Sequence, residues 1–151
     1  MDRRFSVLIA DENAGCLYAL RSSLEREGYD VAQAGSGREA LEIIHSEPIH
    51  VVVTDIRLPD YSGLDIYHAI KDIRDAFLPC IFTAIEMTAR ALHEALNEDV
   101  VTVLPKPVDR GRLVHAVGWS VNRYYSRGTR PWQRSGDGRR RSWQAGEEYK
   151  V

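Results

Sequence analysis

The stretch VVVTDIRLPDYSG, residues 51–63, decides the fold. Its three valines form a β-branched run that is typical of a strand buried on both faces of a sheet. The run ends in Asp55, and Pro59 and Gly63 then predict a loop. Packing alone does not explain a carboxylate at the tip of so apolar a strand. We therefore expect Asp55 to have a functional role.

Outward from this stretch, strand-like and helix-like patterns alternate along the chain. Short apolar runs predict five strands, at residues 5–10, 30–34, 50–55, 78–84 and 100–104. Apolar residues three or four positions apart predict five helices: one through Leu17, Leu20 and Leu24 that ends near Gly28, then 36–47, one through Ile66, Ile70 and Ile73, 87–99, and 109–125. Alternation of this kind predicts parallel strands joined by right-handed crossovers. The expected fold class is α/β: a doubly wound, five-stranded parallel sheet of the flavodoxin-like (βα)5 type, with strand order 2-1-3-4-5.

The composition indicates an ordinary globular protein, with 44% hydrophobic and 28% charged residues in a chain of 151. Cys16 and Cys80 lack the spacing of a metal site or a disulfide framework, and we interpret both as small buried apolar residues. No apolar run approaches the length of a membrane span, and the N-terminus does not fit a cleaved signal peptide. We expect a cytoplasmic protein without a membrane partner.

Charge divides the chain into two parts. Residues 1–118 carry 12 basic and 19 acidic residues, a net charge of −7, whereas residues 119–151 carry 8 and 3, a net charge of +5. We expect a folded domain at 1–125 and a basic, flexible C-terminal tail at 126–151. Three arginines at 139–141, with Trp132 and Trp143 nearby, could contact nucleic acid. The favoured interpretation of the tail is a solvated extension. A third interpretation is that the tail docks on the acidic domain.

The ends of the predicted strands bring together a particular set of polar residues. Asp11 and Glu12 follow the first strand, Asp55 ends the third, Thr83 lies near the end of the fourth, and Lys106 follows the fifth. In an open parallel sheet these positions share one edge. Clustered carboxylates repel one another and favour a hard cation such as Mg²⁺. A single aspartate could then accept a phosphoryl group, with the metal, an ammonium and a hydroxyl stabilising the charge.

With these motifs the chain resembles the receiver domain of two-component response regulators. The matching pieces are LIADEN, VVVTDIRLPDYSGLD, FTA and LPKPV, in that order, and the likeness spans roughly residues 4–125. The resemblance implies a phosphoacceptor regulatory domain rather than a conventional enzyme. Its expected partners are a histidine kinase or histidine phosphotransfer protein, an unidentified downstream protein and, as in many similar receivers, a second copy of the chain.

The resemblance also implies a role for each site residue. Asp55 matches the phosphorylated aspartate, and Thr83 and Lys106 match the hydroxyl and the ammonium that engage the phosphoryl group. Asp11 and Glu12 match the acidic pair that holds the divalent metal together with Asp55, and Arg57 matches the position whose backbone carbonyl completes the metal site. Lys106–Pro107 matches a junction that is usually cis in the family.

Two positions depart from the family pattern. Val103 stands where receivers often carry an aromatic residue that rotates inward, so that part of the switch is missing or is performed by another residue. Asp99-Val100 replaces a small Gly-Ala pair, which predicts a differently shaped or docked fourth helix. The favoured function is a receiver that cycles through phosphorylation. The alternatives are a pseudoreceiver that acts as an interaction scaffold, and a nucleic-acid contact through the tail.

Overall fold

The structure, a computed structural model, describes residues 4–73, 78–84 and 101–125. The helix expected at 87–99, the Asp99-Val100 departure and the tail expected at 126–151 lie outside these ranges. The strands are β1 (Ser6–Ala10), β2 (Asp30–Ala34), β3 (Val51–Asp55), β4 (Cys80–Ala84) and β5 (Thr102–Pro105). The described helices are α1 (Ala14–Glu25), α2 (Gly37–Ser46), α3 (Gly63–Ile73) and α4 (Arg110–Tyr125).

The five strands form one parallel sheet in the order β2-β1-β3-β4-β5. This confirms the predicted α/β class and strand order. β3 lies at the centre, and all five of its residues are buried. The valine run of the opening stretch is therefore covered on both faces, as its composition predicts.

Two apolar clusters cover the two faces of the sheet. One packs residues of α2 and α3, including Ile44 and Ile66, against alternate strand residues such as Val52 and Phe82. The other packs α1 and α4 on the opposite face, around Val53. Because side chains alternate along a strand, each strand contributes to both clusters. Among the described helices, none is long and apolar enough to cross a membrane.

Local signals start the first two helices, and a glycine turn follows the first. Asn13 caps α1 by accepting a hydrogen bond from the Cys16 backbone N–H, and Gly28 takes a φ of 95° in the turn that leads to β2. Ser36 caps α2 by accepting from the Glu39 N–H at 3.2 Å. The Glu39 carboxylate accepts from the Gly35 N–H at 2.6 Å, so the reciprocal bond lies one residue earlier than in a standard capping box.

A buried aromatic cluster joins the last turn of α4 to the edge of the sheet opposite the strand ends. The Tyr125 hydroxyl donates a hydrogen bond of 2.7 Å to the His50 carbonyl oxygen. The Ser6 backbone N–H donates to His50 Nδ1 at 2.9 Å. The rings of Phe5 and Tyr125 pack edge-on and tilted around the imidazole and each other. This contact fixes the end of α4 against β1 and β3.

Replacing Tyr125 by phenylalanine is expected to lower the free energy of unfolding by about 1 kcal/mol, since a buried hydrogen bond is lost while the ring packing is kept. Urea unfolding measures the change. Tyr18 is 74% exposed, so Tyr18→Phe is the matched control and should be neutral. Equal effects of the two substitutions would contradict a stabilising role for the Tyr125 hydroxyl.

Candidate functional site

Three of the predicted site residues meet at the carboxyl edge of the sheet. Asp11 directly follows β1, Asp55 is the last residue of β3, and Lys106 directly follows β5. Because all strands are parallel, the end of β3 lies beside the end of β1, and the end of β5 lies one strand further along, beyond β4. Asp11 is 1% exposed and Asp55 is 8% exposed. Burial of two carboxylates at this edge requires compensating partners.

Lys106 supplies the main compensation. Its Nζ atom lies 3.0 Å from Asp11 Oδ2 and 2.6 Å from Asp55 Oδ2, so one ammonium bridges both carboxylates. Desolvation alone would lower the pKa of Lys106, but the hydrogen bonds and negative charges of Asp55 and Asp11 raise it above the usual value. The lysine therefore stays charged throughout the neutral range.

Backbone N–H groups engage the remaining carboxylate oxygens. The Asn13 N–H donates to Asp11 Oδ1 at 2.9 Å, and the Arg57 N–H donates to Asp55 Oδ1 at 3.3 Å. Each of the four oxygens thus accepts one hydrogen bond and keeps capacity for a further ligand. Two carboxylates and one ammonium leave a net charge of −1, which attracts a cation.

The main chain of Thr83 runs beside Asp55. The two residues are register partners in the β3–β4 pair, and the Ile56 N–H donates to the Thr83 carbonyl at 3.0 Å. Thr83 is 1% exposed. On the other side of β4, the Lys106 N–H donates to the Ala84 carbonyl at 2.8 Å. Neighbouring strands thus place Thr83 and Lys106 on the same edge as Asp55.

The bond between Lys106 and Pro107 is cis, as expected. Beyond it, a cavity of about 410 Å³ lies between α1 and α4 and reaches the site. Asp11, Asn13 and Lys106 line its polar end, and Leu20 and Leu113 line its apolar part. The cavity therefore borders the site at Asp11 and Lys106.

Comparison with known proteins identifies the family of the chain. Residues 7–118 match the family model of the response regulator receiver domain. The chain belongs to this family. It is therefore the receiver domain of a two-component response regulator.

Individual relatives agree with the family match. The chain is 34% identical over 118 residues to the response regulator protein PilR of Pseudomonas aeruginosa and 31% identical over 111 residues to the transcriptional regulatory protein GlrR of Escherichia coli. These alignments cover 78% and 74% of this chain but only 26% and 25% of those relatives, so the chain spans about a quarter of their length. A receiver-domain crystal structure from Clostridium thermocellum superposes with a TM-score of 0.69 at 30% identity, covering 79% of this chain and 95% of that one.

Two predicted metal-site residues of the receiver lie at its periphery. Glu12 and Arg57 are exposed, and Arg57 forms an isolated bridge with Ser62 in the loop after β3. Within the described ranges, no group of three or more His, Cys, Asp and Glu side chains could hold a metal ion. The structure thus brings Asp11 and Asp55 together but does not add Glu12 as a third clustered carboxylate.

The donor set at the strand ends nonetheless fits Mg²⁺, which receiver domains generally bind at an acidic pocket. Magnesium usually takes one or two carboxylates and keeps several waters, rather than requiring a cage of protein ligands. Asp11 and Asp55 supply two buried carboxylates with spare lone pairs. A backbone carbonyl such as that of Arg57 is a suitable further oxygen donor.

Sequence reasoning missed one residue near the site, Asp60. Its carboxylate accepts hydrogen bonds from the backbone N–H groups of Gly37, Arg38 and Tyr61, which joins the loop after β3 to the start of α2. Desolvation alone would raise the pKa of Asp60, but these hydrogen bonds lower it below the usual value. Asp60 thus stabilises the fold at neutral pH, and this contribution is lost as the pH falls through its lowered pKa. The proline-aspartate turn is recognisable in the sequence, but its partner 23 residues earlier is not.

Proposed function

We propose that this receiver accepts a phosphoryl group on Asp55, with Mg²⁺ bound, from a histidine kinase or a histidine phosphotransfer protein. The observation that carries the proposal is the Lys106 ammonium, which bridges the buried carboxylates of Asp11 and Asp55 where three strands end. An isolated structural aspartate would not need a second carboxylate beside it, because like charges in a small volume are costly.

In the proposed transfer, a carboxylate oxygen of Asp55 forms a bond to phosphorus as the phosphorus–nitrogen bond of the donor histidine breaks. The electron pair of that bond returns to the imidazole nitrogen. Bound Mg²⁺ would supply positive charge opposite the phosphoryl oxygens. Asp11, Asp55 and the Arg57 carbonyl would hold the metal, and Glu12 would contribute negative charge from the exposed side.

Lys106 and Thr83 act on the product of this transfer. Lys106 already contacts Asp55 and can remain paired with the phosphoryl oxygens without a large movement. Thr83 would turn its hydroxyl towards the same group. Val103 is partly buried against the cluster that contains Phe82, and its side chain has no aromatic ring to rotate. We propose that the switch changes a protein-interaction surface through Thr83 and the loops at this edge.

The test is phosphorylation by a small phosphodonor in Mg²⁺, measured by the mass of the intact protein. The wild type should gain one HPO₃ group that is stable in acid and labile in base, and Asp55→Asn should gain none. Asp30→Asn changes an exposed aspartate that pairs with Arg4, so this control should be modified like the wild type. An unmodified wild type would contradict the proposal and favour an interaction scaffold that does not cycle.

A further inference from the structure

We propose that Asp60 is a positioning residue for the metal site. Its carboxylate fastens the loop after β3 to the N-terminus of α2 and thereby holds the Arg57 backbone in place for Mg²⁺. This inference rests on the proposed function, because it assigns Asp60 a task at that same site. Nothing in the opening motif distinguishes Asp60 from an ordinary turn residue.

The contacts of Asp60 reach across two elements. Its Oδ1 atom accepts a hydrogen bond of 2.8 Å from the Gly37 N–H and one of 2.8 Å from the Tyr61 N–H. Its Oδ2 atom accepts one of 3.0 Å from the Arg38 N–H. Gly37 and Arg38 are the first two residues of α2, whose N–H groups have no partner within the helix. One side chain from the loop therefore satisfies two backbone donors of a helix that is 22 to 23 residues away in sequence.

Packing around Tyr61 reinforces this anchor. A Cβ atom built on Gly37 would lie 2.6 Å from Cδ2 of Tyr61, much closer than real Cβ contacts. The loop can therefore approach the helix only because residue 37 has no side chain. Since Tyr61 directly follows Asp60, the ring contact and the carboxylate contacts hold the same point of the loop against α2.

Hydrogen bonds within the loop connect this anchor to Arg57. The Leu58 N–H donates to the Tyr61 carbonyl at 3.2 Å, and the Gly63 N–H donates to the Ile56 carbonyl at 2.8 Å. Arg57 and Ser62 form an antiparallel bridge between these two bonds. Residues 56–63 thus form a closed hairpin with Asp60 near its tip. A displacement of the tip is transmitted through these bonds to Arg57, whose N–H also donates to Asp55 Oδ1 at 3.3 Å.

The competing interpretation of Asp60 is a helix cap without influence on the site. Glu39 provides the matched comparison. It is also an exposed carboxylate in the first turn of α2, and it accepts a backbone hydrogen bond at 2.6 Å, but from Gly35 rather than from the loop after β3. Substitutions of Asp60 and Glu39 both affect the start of α2, whereas only those of Asp60 release the loop.

The experiment compares Mg²⁺ binding to the unphosphorylated wild type, Asp60→Ala, Asp60→Asn and Glu39→Ala by isothermal titration calorimetry. Asp60→Ala should weaken Mg²⁺ binding about tenfold, in the range found when the support of a metal ligand is lost. Asp60→Asn should lie between, because its amide oxygen can still accept from Gly37 and Tyr61 while its NH₂ group faces the Arg38 N–H. Glu39→Ala should match the wild type.

Phosphorylation by the small phosphodonor provides the second measurement. The Mg²⁺ concentration at half-maximal rate should rise for Asp60→Ala by the same factor, and saturating Mg²⁺ should restore the rate. Unchanged Mg²⁺ affinity in both Asp60 variants would overturn the inference, as would an equal loss in Glu39→Ala. If Asp60→Ala does not fold, as judged by circular dichroism, Asp60→Asn decides. A wild type that binds Mg²⁺ but gains no phosphate would contradict the proposed function, whereas the calorimetric comparison would still decide the role of Asp60.

Discussion

Lys106→Met is expected to lower the free energy of unfolding by about 3 kcal/mol at neutral pH without divalent cations. The substitution keeps an unbranched apolar side chain but leaves the carboxylates of Asp11 and Asp55 facing each other without an ammonium. Loss of one partner from a buried ion pair costs about 3–5 kcal/mol. The lower end applies because 26% of the lysine side chain is exposed.

Urea unfolding with and without Mg²⁺ checks this prediction. Magnesium should stabilise Lys106→Met more than the wild type, because the cation then meets two carboxylates whose charge is no longer offset. Lys71→Met is the control, since Lys71 is exposed and its ammonium lies 5.3 Å from the centre of the Tyr67 ring. It should cost about 1 kcal/mol or less. A Lys106→Met protein as stable as this control would contradict the bridging role.

Gly63→Ala is expected to cost about 3 kcal/mol of stability and to slow phosphoryl acceptance. A Cβ atom at residue 63 would lie 2.8 Å from the Asp55 carbonyl oxygen and 2.8 Å from Cε1 of Phe82. Overpacking of a core typically costs about 1–3 kcal/mol, and the upper end applies because a backbone atom and a buried ring must both move. The backbone that moves belongs to Asp55, the proposed phosphoacceptor, so the alignment of Asp55 with Lys106 changes too.

Gly118→Ala is the matched control for this substitution. Gly118 lies within α4, and a Cβ atom there would make only an ordinary contact, 3.8 Å from the Tyr29 hydroxyl. Alanine in a helix interior is favoured over glycine by about 0.5–1 kcal/mol, so this variant should be slightly more stable than the wild type. Urea unfolding and the phosphodonor assay measure both variants. If Gly63→Ala matched the wild type in stability and rate, residue 63 would not constrain the strand end.

The sequence predicts the sheet well because its signals are local. The valines of β3 and the spaced leucines of α1 each indicate a buried element within a few residues. The alternation of predicted strands and helices then predicts a parallel sheet. The same logic located Asp11, Asp55 and Lys106, since strand ends in such a sheet share an edge. The observed boundaries of the strands differ from the predicted ones by one or two residues. For example, the last strand is predicted at 100–104 and is observed at Thr102–Pro105.

What the sequence did not predict depends on contacts between distant segments. Asp60 reaches the N-terminus of α2, and Tyr125 reaches the His50 carbonyl, and neither pair has a local spacing that could identify it. The position of Glu12 is a subtler case. Its place directly after Asp11 predicts an acidic pair at the metal site, but the burial of the two residues differs. Asp11 is buried and Glu12 is exposed.

The anchoring of Tyr125 also sets where a probe can be attached without disturbing the site. α4 starts close to Lys106 and ends at the opposite edge of the sheet, and its 16 residues correspond to roughly 24 Å at 1.5 Å per residue. A fluorophore attached to the exposed side of the last turn of α4 would therefore lie at the edge of the sheet opposite Asp55. Labels placed there should leave the cavity beside Asp11 and Lys106 open, whereas labels on the side of α1 that lines this cavity would obstruct it.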